Sequence, residues 1–353
     1  MHVIKILIFF NMNNNVTHSR RYLAILICAA AAAFIVFYMG RNRRQFFGTE
    51  GSIWTTDYHM TYETHARLDD SIMAVLNQVD NSASTFNPNS LISKINLNKE
   101  HELNAMLLGL LKASKEVYEA SGHTYDPTVM PLVNAWGFGY KKGELPSKKM
   151  VDSLLQFVGM NKFTIQGKQL VKSDPRLQFD FSSIAKGMAC DEVGYMIERN
   201  GGENYMVEIG GEVALKGHNA EGKPWHVSID MPIEDNVNVE HVSALVLELD
   251  KGGVATSGNY RKYKEVKGKK VSHIINPLTG YSSESHLLSV TIVAQSCMIA
   301  DAWATACMVM GIERTRQLFG DSKDLGVMTI SSNAKGDFVV WSNNAFASKV
   351  VKK

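Results

Sequence analysis

Residues 205–216 read YMVEIGGEVALK. Two short runs with strand character, Tyr205–Ile209 and Glu212–Lys216, flank Gly210–Gly211. Paired glycines in such a pattern mark a bulge, a tight turn, or close backbone approach by a ligand. Further short strands follow at 225–230, 243–249, 253–257, 273–275, 287–293, 326–331 and 338–341, with a helix near 313–319. Upstream lie a strand at 51–58, helical patterns at 64–79, 91–97, 103–121 and 147–158, and a hairpin over 162–171 around Gly167. A strand at 177–181 runs into a helix ending near residue 199. Strand runs interrupted by helices predict an α+β fold, mixed or antiparallel sheets packed with helices.

The chain has 353 residues, 45% hydrophobic and 20% charged, with net charge +2. That suits a globular core and gives no basic footprint for nucleic acid. Cys28, Cys190, Cys297 and Cys307 form no C-x-x-C pair, which argues against structural zinc. Cys297 and Cys307, on one predicted helix, are about 15 Å apart, too far for a disulfide.

Residues 22–39, YLAILICAAAAAFIVFYM, carry no charge. As a helix they would extend about 27 Å, enough for a membrane core. The run continues past its small residues, so an uncleaved signal anchor is expected rather than a cleaved signal peptide. The expected layout is an amino-terminal segment (1–21, with Met12 a second possible start), an anchor (22–39), a linker (40–50) and one domain (51–345). Arg20 and Arg21 precede the run and Arg41, Arg43 and Arg44 follow it, so charge does not fix orientation.

Five further stretches carry chemistry. In residues 297–311, CMIADAWATACMVMG, Asp301 and Thr305 share a helical face in an otherwise apolar run, with Ser296 as N-cap. Such a pair either staples the core or offers oxygens to a hard cation such as Mg²⁺. In residues 180–187, DFSSIAKG, Ser182 or Ser183 can cap a helix whose N–H groups face an anion. Lys186 in that first turn calls for a partner, a phosphate or Asp180, or is simply exposed. EIGGE (208–212) and GGVATSG (252–258) bring glycines together with Glu208, Thr256 and Ser257; the second can cradle phosphate but fits neither the Walker nor the dinucleotide spacing. In HIINPLTG (273–280), His273 precedes an Asn-Pro turn and is either structural or a general base.

Together with STFNPNS (84–90) and YDPTVMPLVNAWGFG (125–139), these stretches resemble, in order, the signature series of the ApbE family of FAD:protein FMN transferases, over about residues 51–342. The resemblance implies FAD as flavin donor, Mg²⁺, and transfer of FMN to a Thr or Ser hydroxyl of an acceptor protein, of the respiratory flavoprotein type, with AMP leaving. Asp301, Thr305 and the Ala185 carbonyl match the family's metal ligands. His273 matches its candidate base, and Lys186 would neutralise diphosphate charge. Ser84, Phe86, Asp180, Glu208, Gly210, Gly211, Thr256, Ser257, Gly258 and His273 fall in flavin- or nucleotide-contacting segments. Ser182–Ser183 replaces a Gly-Gly common in relatives, and Phe86 stands where Tyr is frequent. Relatives are often lipidated, but Ile27 before Cys28 does not suit lipidation. The implied location is the inner membrane, single-pass, with the domain on the outer side. An FAD pyrophosphatase releasing FMN and AMP, and a flavin-binding protein without turnover, are the alternatives.

Overall fold

The computed structural model describes residues 18–41, 43–140, 145–232, 243–259, 263–266, 269–283, 286–333 and 335–351. It divides into two units, residues 1–45 and 46–353. The first contains a 24-residue helix, His18–Arg41. Among the described residues no helix is long and apolar enough to cross a membrane. Within His18–Arg41, side chains are described only for residues 22–33, about 18 Å of helix against a core of about 30 Å. Residues 34–39 of the expected anchor lie outside them.

The larger unit is built on strands β1 (Gln45–Ile53), β2 (Thr56–Thr64), β3 (Phe163–Gln166), β4 (Gln169–Lys172), β5 (Tyr205–Ile209), β6 (Glu212–Lys216) and β7 (Trp225–Asp230). They continue as β8 (Ser243–Leu249), β9 (Lys251–Gly258), β10 (Tyr263–Val266), β11 (Lys269–Ser272), β12 (Leu287–Ala294), β13 (Gly326–Ser332) and β14 (Phe338–Ser342). Eight form one sheet in the order β1-β2-β5-β6-β9-β12-β13-β14, and β3-β4, β7-β8 and β10-β11 pair separately. The described registers in the large sheet are antiparallel. The fold is thus α+β with a large antiparallel sheet. Among the described residues a parallel contact appears only as the isolated bridge Val129–Gln178.

Ile209 pairs with Glu212, leaving Gly210 (φ 62°) and Gly211 (φ 97°) as a two-residue loop. Positive φ at both positions is what a tight hairpin turn of this length asks for, and glycine supplies it without a Cβ clash. Of the three readings of EIGGE, the tight turn describes its backbone.

Side-chain alternation divides the sheet's two faces. Val207, Ile209, Ala214, Ala255, Val290 and Ile292 join the main core with the helices Ala185–Arg199 and Cys297–Phe319. Val213, Leu215, Val254, Val293 and Met328 pack on the other face with Trp225, Val227 and Leu247 of β7–β8. The apolar 297–311 run is therefore a core helix, buried through Ala300, Ala302, Ala304 and Ala306.

The Cys297–Phe319 helix starts where three backbones meet. A β-carbon on Gly187 would overlap the Cys297 carbonyl, and one on Gly253 would overlap the Cys297 nitrogen. Ser296 accepts from the Ile299 N–H at 3.2 Å, as the predicted N-cap. Asp191 adds a second cap, accepting from the Cys297 and Met298 N–H groups, each at 2.9 Å.

Several local expectations change. Residues 51–58 span the end of β1, a turn with positive φ at Trp54 and Thr55, and the start of β2. β1 begins at Gln45, inside the stretch read as linker. Residues 177–181 are extended but bridge only through Gln178. His273 is not on a strand; it follows β11, and Ile275 bridges Ser282. Within YDPTVMPLVNAWGFG the structure forms a helix, Met130–Ala135, with Pro131 in its first turn, where a missing N–H costs nothing. The helix near Glu313 is continuous with Cys297–Phe319 except for a break at Gly311.

Gly187→Ala should destabilise the protein by about 1–3 kcal/mol, because backbone rather than a flexible side chain must yield. Gly109→Ala, on an exposed helix face with nothing within 4 Å, should be neutral or stabilise by up to about 1 kcal/mol. Denaturant midpoints of the two variants check the contrast.

Candidate active site

Lys186 is the second residue of the Ala185–Arg199 helix, whose first turn packs against the start of the Cys297–Phe319 helix through Gly187. The Gly187 N–H donates to Asp301 Oδ2 at 3.1 Å, which ties the two motifs IAKG and ADAWAT directly. Lys186 Nζ donates to Glu212 Oε1. Asp180, one of the two partners offered for it, is not used: its Oδ1 accepts from the Ser182 N–H at 2.9 Å and the Ser182 hydroxyl at 2.6 Å. Neither serine caps the helix, since Ile184 holds the N-cap position without a side-chain bond. A carboxylate turn replaces the serine cap, because Asp180 bonds two residues ahead and engages the Ser182 hydroxyl. Ser183 turns instead to Tyr125 Oη at 3.4 Å.

Thr305, one turn after Asp301, meets Ser257 Oγ at 3.2 Å. Ser257 alternates with Thr256, so the two point to opposite faces of β9. Thr256 pairs with Thr291 at 2.9 Å on the far face, away from the helix. The EIGGE turn divides in the same way. Glu208 pairs across the strand with His59, at 2.8 Å from Nδ1, and accepts from the Gly211 N–H at 2.6 Å. Glu212 instead faces the helices and is 4% exposed. The structure therefore brings together Lys186, Asp301, Thr305 and Ser257, with Ala185 and Gly258 adjacent in sequence and Asp180 six residues before Lys186. It leaves Glu208 and Thr256 on the sheet's other face.

Glu212 was not among the predicted site residues. The register carried the signal: with a two-residue Gly-Gly loop, the two glutamates of EIGGE must face opposite sides, and Glu212 shares a face with Ile209. Asp191 was also missed, and nothing in local sequence marks a carboxylate that caps a helix more than a hundred residues away.

Burial dominates the electrostatics. It pushes the Asp301 carboxyl up, with Lys186 opposing, and pushes Glu212 up in the same way. Burial alone would lower the Lys186 ammonium, but Glu212 and Asp301 outweigh it and hold it above the ordinary lysine value. Asp180 is also raised by burial.

The other predicted segments reach this cluster by hydrogen-bonded clasps. Asn96 accepts from Phe179 N–H and donates to Phe179 C=O, each at 2.8 Å, joining the helix after STFNPNS to the segment before Asp180. On that loop Ser84 offers its carbonyl to the Ser90 hydroxyl at 2.7 Å, and the Phe86 ring is 64% exposed. His273, half-buried, lies edge-on to Phe138 with centroids 6.4 Å apart. Its loop is held by Ser283 donating to the Met308 carbonyl at 3.1 Å and by Trp136 donating to the Gly280 carbonyl at 2.8 Å. A cavity of about 570 Å³ lined by Asn276, Tyr281, Ser283, Met310 and Glu313 opens at the Gly311 break, about 15 Å along the helix from Asp301.

Among the described residues no group of three or more His, Cys, Asp or Glu could hold a metal. The expected set is of another kind: one buried carboxylate, one hydroxyl and one backbone carbonyl. All are hard oxygens, which suits Mg²⁺ with waters and substrate phosphate completing its shell.

A family model described as the ApbE family matches residues 51–329. A Vibrio cholerae protein named FAD:protein FMN transferase is 38% identical over 307 residues, covering 84% of this chain and 90% of that protein. One of the same name from Haemophilus influenzae is 34% identical over 313 residues, covering 84% and 89%. Among solved structures, the flavin transferase ApbE from Vibrio cholerae superposes with a TM-score of 0.76 at 32% identity, covering 87% of this chain and 99% of that one. The apo flavinyl transferase ApbE of Pseudomonas stutzeri gives 0.77 at 30% identity, covering 87% and 97%.

Asp191→Ala should cost about 1–2 kcal/mol, as losing a helix cap does. Amide hydrogen exchange should locate the loss, accelerating first at Cys297 and Met298.

Proposed function

Because the chain belongs to the ApbE family, we propose that it is an FAD:protein FMN transferase that moves FMN from FAD onto an acceptor protein. The observation that carries the reading is the junction of IAKG, ADAWAT and GGVATSG in one buried, charged cluster on the helix-covered face of the sheet. The finer chemistry follows from those residues. The acceptor's Thr or Ser hydroxyl oxygen attacks the phosphorus of the FMN half of FAD. A P–O bond to it forms, the bridging P–O bond breaks, and AMP leaves with the electron pair. The hydroxyl proton passes to His273, a base suited to neutral pH. Lys186 lies against the diphosphate and offsets its charge. Phe86, exposed on its loop, offers a ring face for stacking.

Asp301, Thr305 and the Ala185 carbonyl would hold Mg²⁺. When bound, the ion supplies charge neutralisation on the diphosphate oxygens and orients them. The remaining work is positioning, which accounts for most phosphoryl-transfer catalysis. We extend the proposal to location. The uncharged 22–39 run supports an amino-terminal anchor; the inner membrane, the domain on its outer side and respiratory flavoproteins as acceptors follow from the family resemblance rather than from the run.

Incubation of the purified chain with FAD, Mg²⁺ and an acceptor domain should add one FMN to the acceptor, read by intact mass, with release of one AMP. FAD turnover without acceptor would instead mark a pyrophosphatase, and tight FAD retention without AMP a binding protein. Asp301→Ala should cost about 10–100-fold or more in Mg²⁺-dependent rate. His273→Ala should retain FAD binding and slow transfer by about 10²–10⁴-fold; an unchanged rate removes it as the base.

A further inference from the structure

The cluster contains a carboxylate that the transfer chemistry above does not use. Glu212 Oε1 accepts from Lys186 Nζ. Its second oxygen, Oε2, is buried without a protein hydrogen-bond partner. The side chain has no role in the β5–β6 hairpin, which is held by backbone pairing from Ile209–Glu212 to Tyr205–Lys216. Glu212's backbone carbonyl, not its carboxylate, receives the Cys190 thiol at 3.2 Å. A buried ion pair of this kind adds little to stability compared with an apolar pair of similar volume. Its geometry is asymmetric: the Glu212 side chain is 5% exposed and that of Lys186 34%. The carboxylate thus lies behind the ammonium and occupies one of its three donors. The ammonium makes no other hydrogen bond among the described residues, and Asp301 is the other carboxylate whose charge it feels.

We infer that Glu212 is the positioning residue for Lys186, fixing the ammonium at the mouth of the cluster and keeping it from collapsing onto Asp301. The inference deepens the transferase reading and rests on it where rates are concerned. Its structural half does not. Glu212 acts only through Lys186, so its removal matters only while Lys186 is present.

The test uses the whole chain and two independent readouts. In lysine-selective ¹H–¹⁵N spectra, the Lys186 ammonium, assigned by its loss in Lys186→Ala, should give a distinct slowly exchanging signal. That signal should persist in Glu212→Asp and vanish in Glu212→Gln. In FMN transfer, Glu212→Gln should lower kcat about 10-fold or more while KM for FAD moves less than about 3-fold, with partial recovery in Glu212→Asp. Placed on Lys186→Ala, Glu212→Gln should change kcat by less than about 2-fold, the signature of coupled residues. A wild-type ammonium signal in Glu212→Gln, or an additive loss in the double variant, overturns the inference. If Glu212→Gln does not fold, Glu212→Met, apolar and of similar length, goes through the same measurements. If the wild-type chain transfers no FMN, the transferase reading fails, and the ammonium signal alone decides the role of Glu212.

Discussion

The structure depends on one crowded point, the peptide of Cys297. Gly187 on one helix and Gly253 on β9 both press their backbones against it, with no room for a β-carbon at either position. Asp191 then fastens the new helix by its first two N–H groups. Because close backbone approach is rigid, everything one turn further along is placed as well. The Gly187 N–H reaches Asp301, Lys186 lies beside it, and Thr305 meets Ser257 across from β9. The glycines of IAKG and GGVATSG therefore act first as packing devices.

Around that point the protein buries charge that it does not need for folding. Lys186, Glu212 and Asp301 all lie on the core side of the sheet, and burial works against the charged form of each. A core of Ala, Ile and Val would be at least as stable there. Charge retained against that cost marks a site that meets charge from outside. A diphosphate with its divalent cation brings both signs, which matches a cluster holding both signs.

The fold class and the central helix were legible because they rest on local periodicity and on an N-cap, Ser296, that sits beside its own helix. The motifs were legible as pieces. Their assignment to faces was not, because a face depends on register. Glu208 and Glu212 stand four residues apart and look interchangeable until Ile209↔Glu212 fixes the turn, sending one to His59 and the other to Lys186. Thr256 and Ser257 separate for the same reason. Lys186 misled differently: its nearest acid in sequence, Asp180, is taken by Ser182, and its true partner comes from a strand 26 residues on. Residues 177–181 had the composition of a strand, but their backbone bonds go to Pro127 and to the Asn96 side chain.

The broken helix gives these pieces a common frame. Asp301, Thr305 and Met308 follow the i, i+4, i+7 spacing of one face. Asp301 holds the Gly187 N–H, Thr305 meets β9, and the Met308 carbonyl receives Ser283 from the His273 loop. About two rigid turns thus space the acidic cluster from the loop bearing the proposed base. The Met308 carbonyl is within the last turn before Gly311, where the helical conformation stops. Ser283 therefore fastens the His273 loop to the turn that ends at the break.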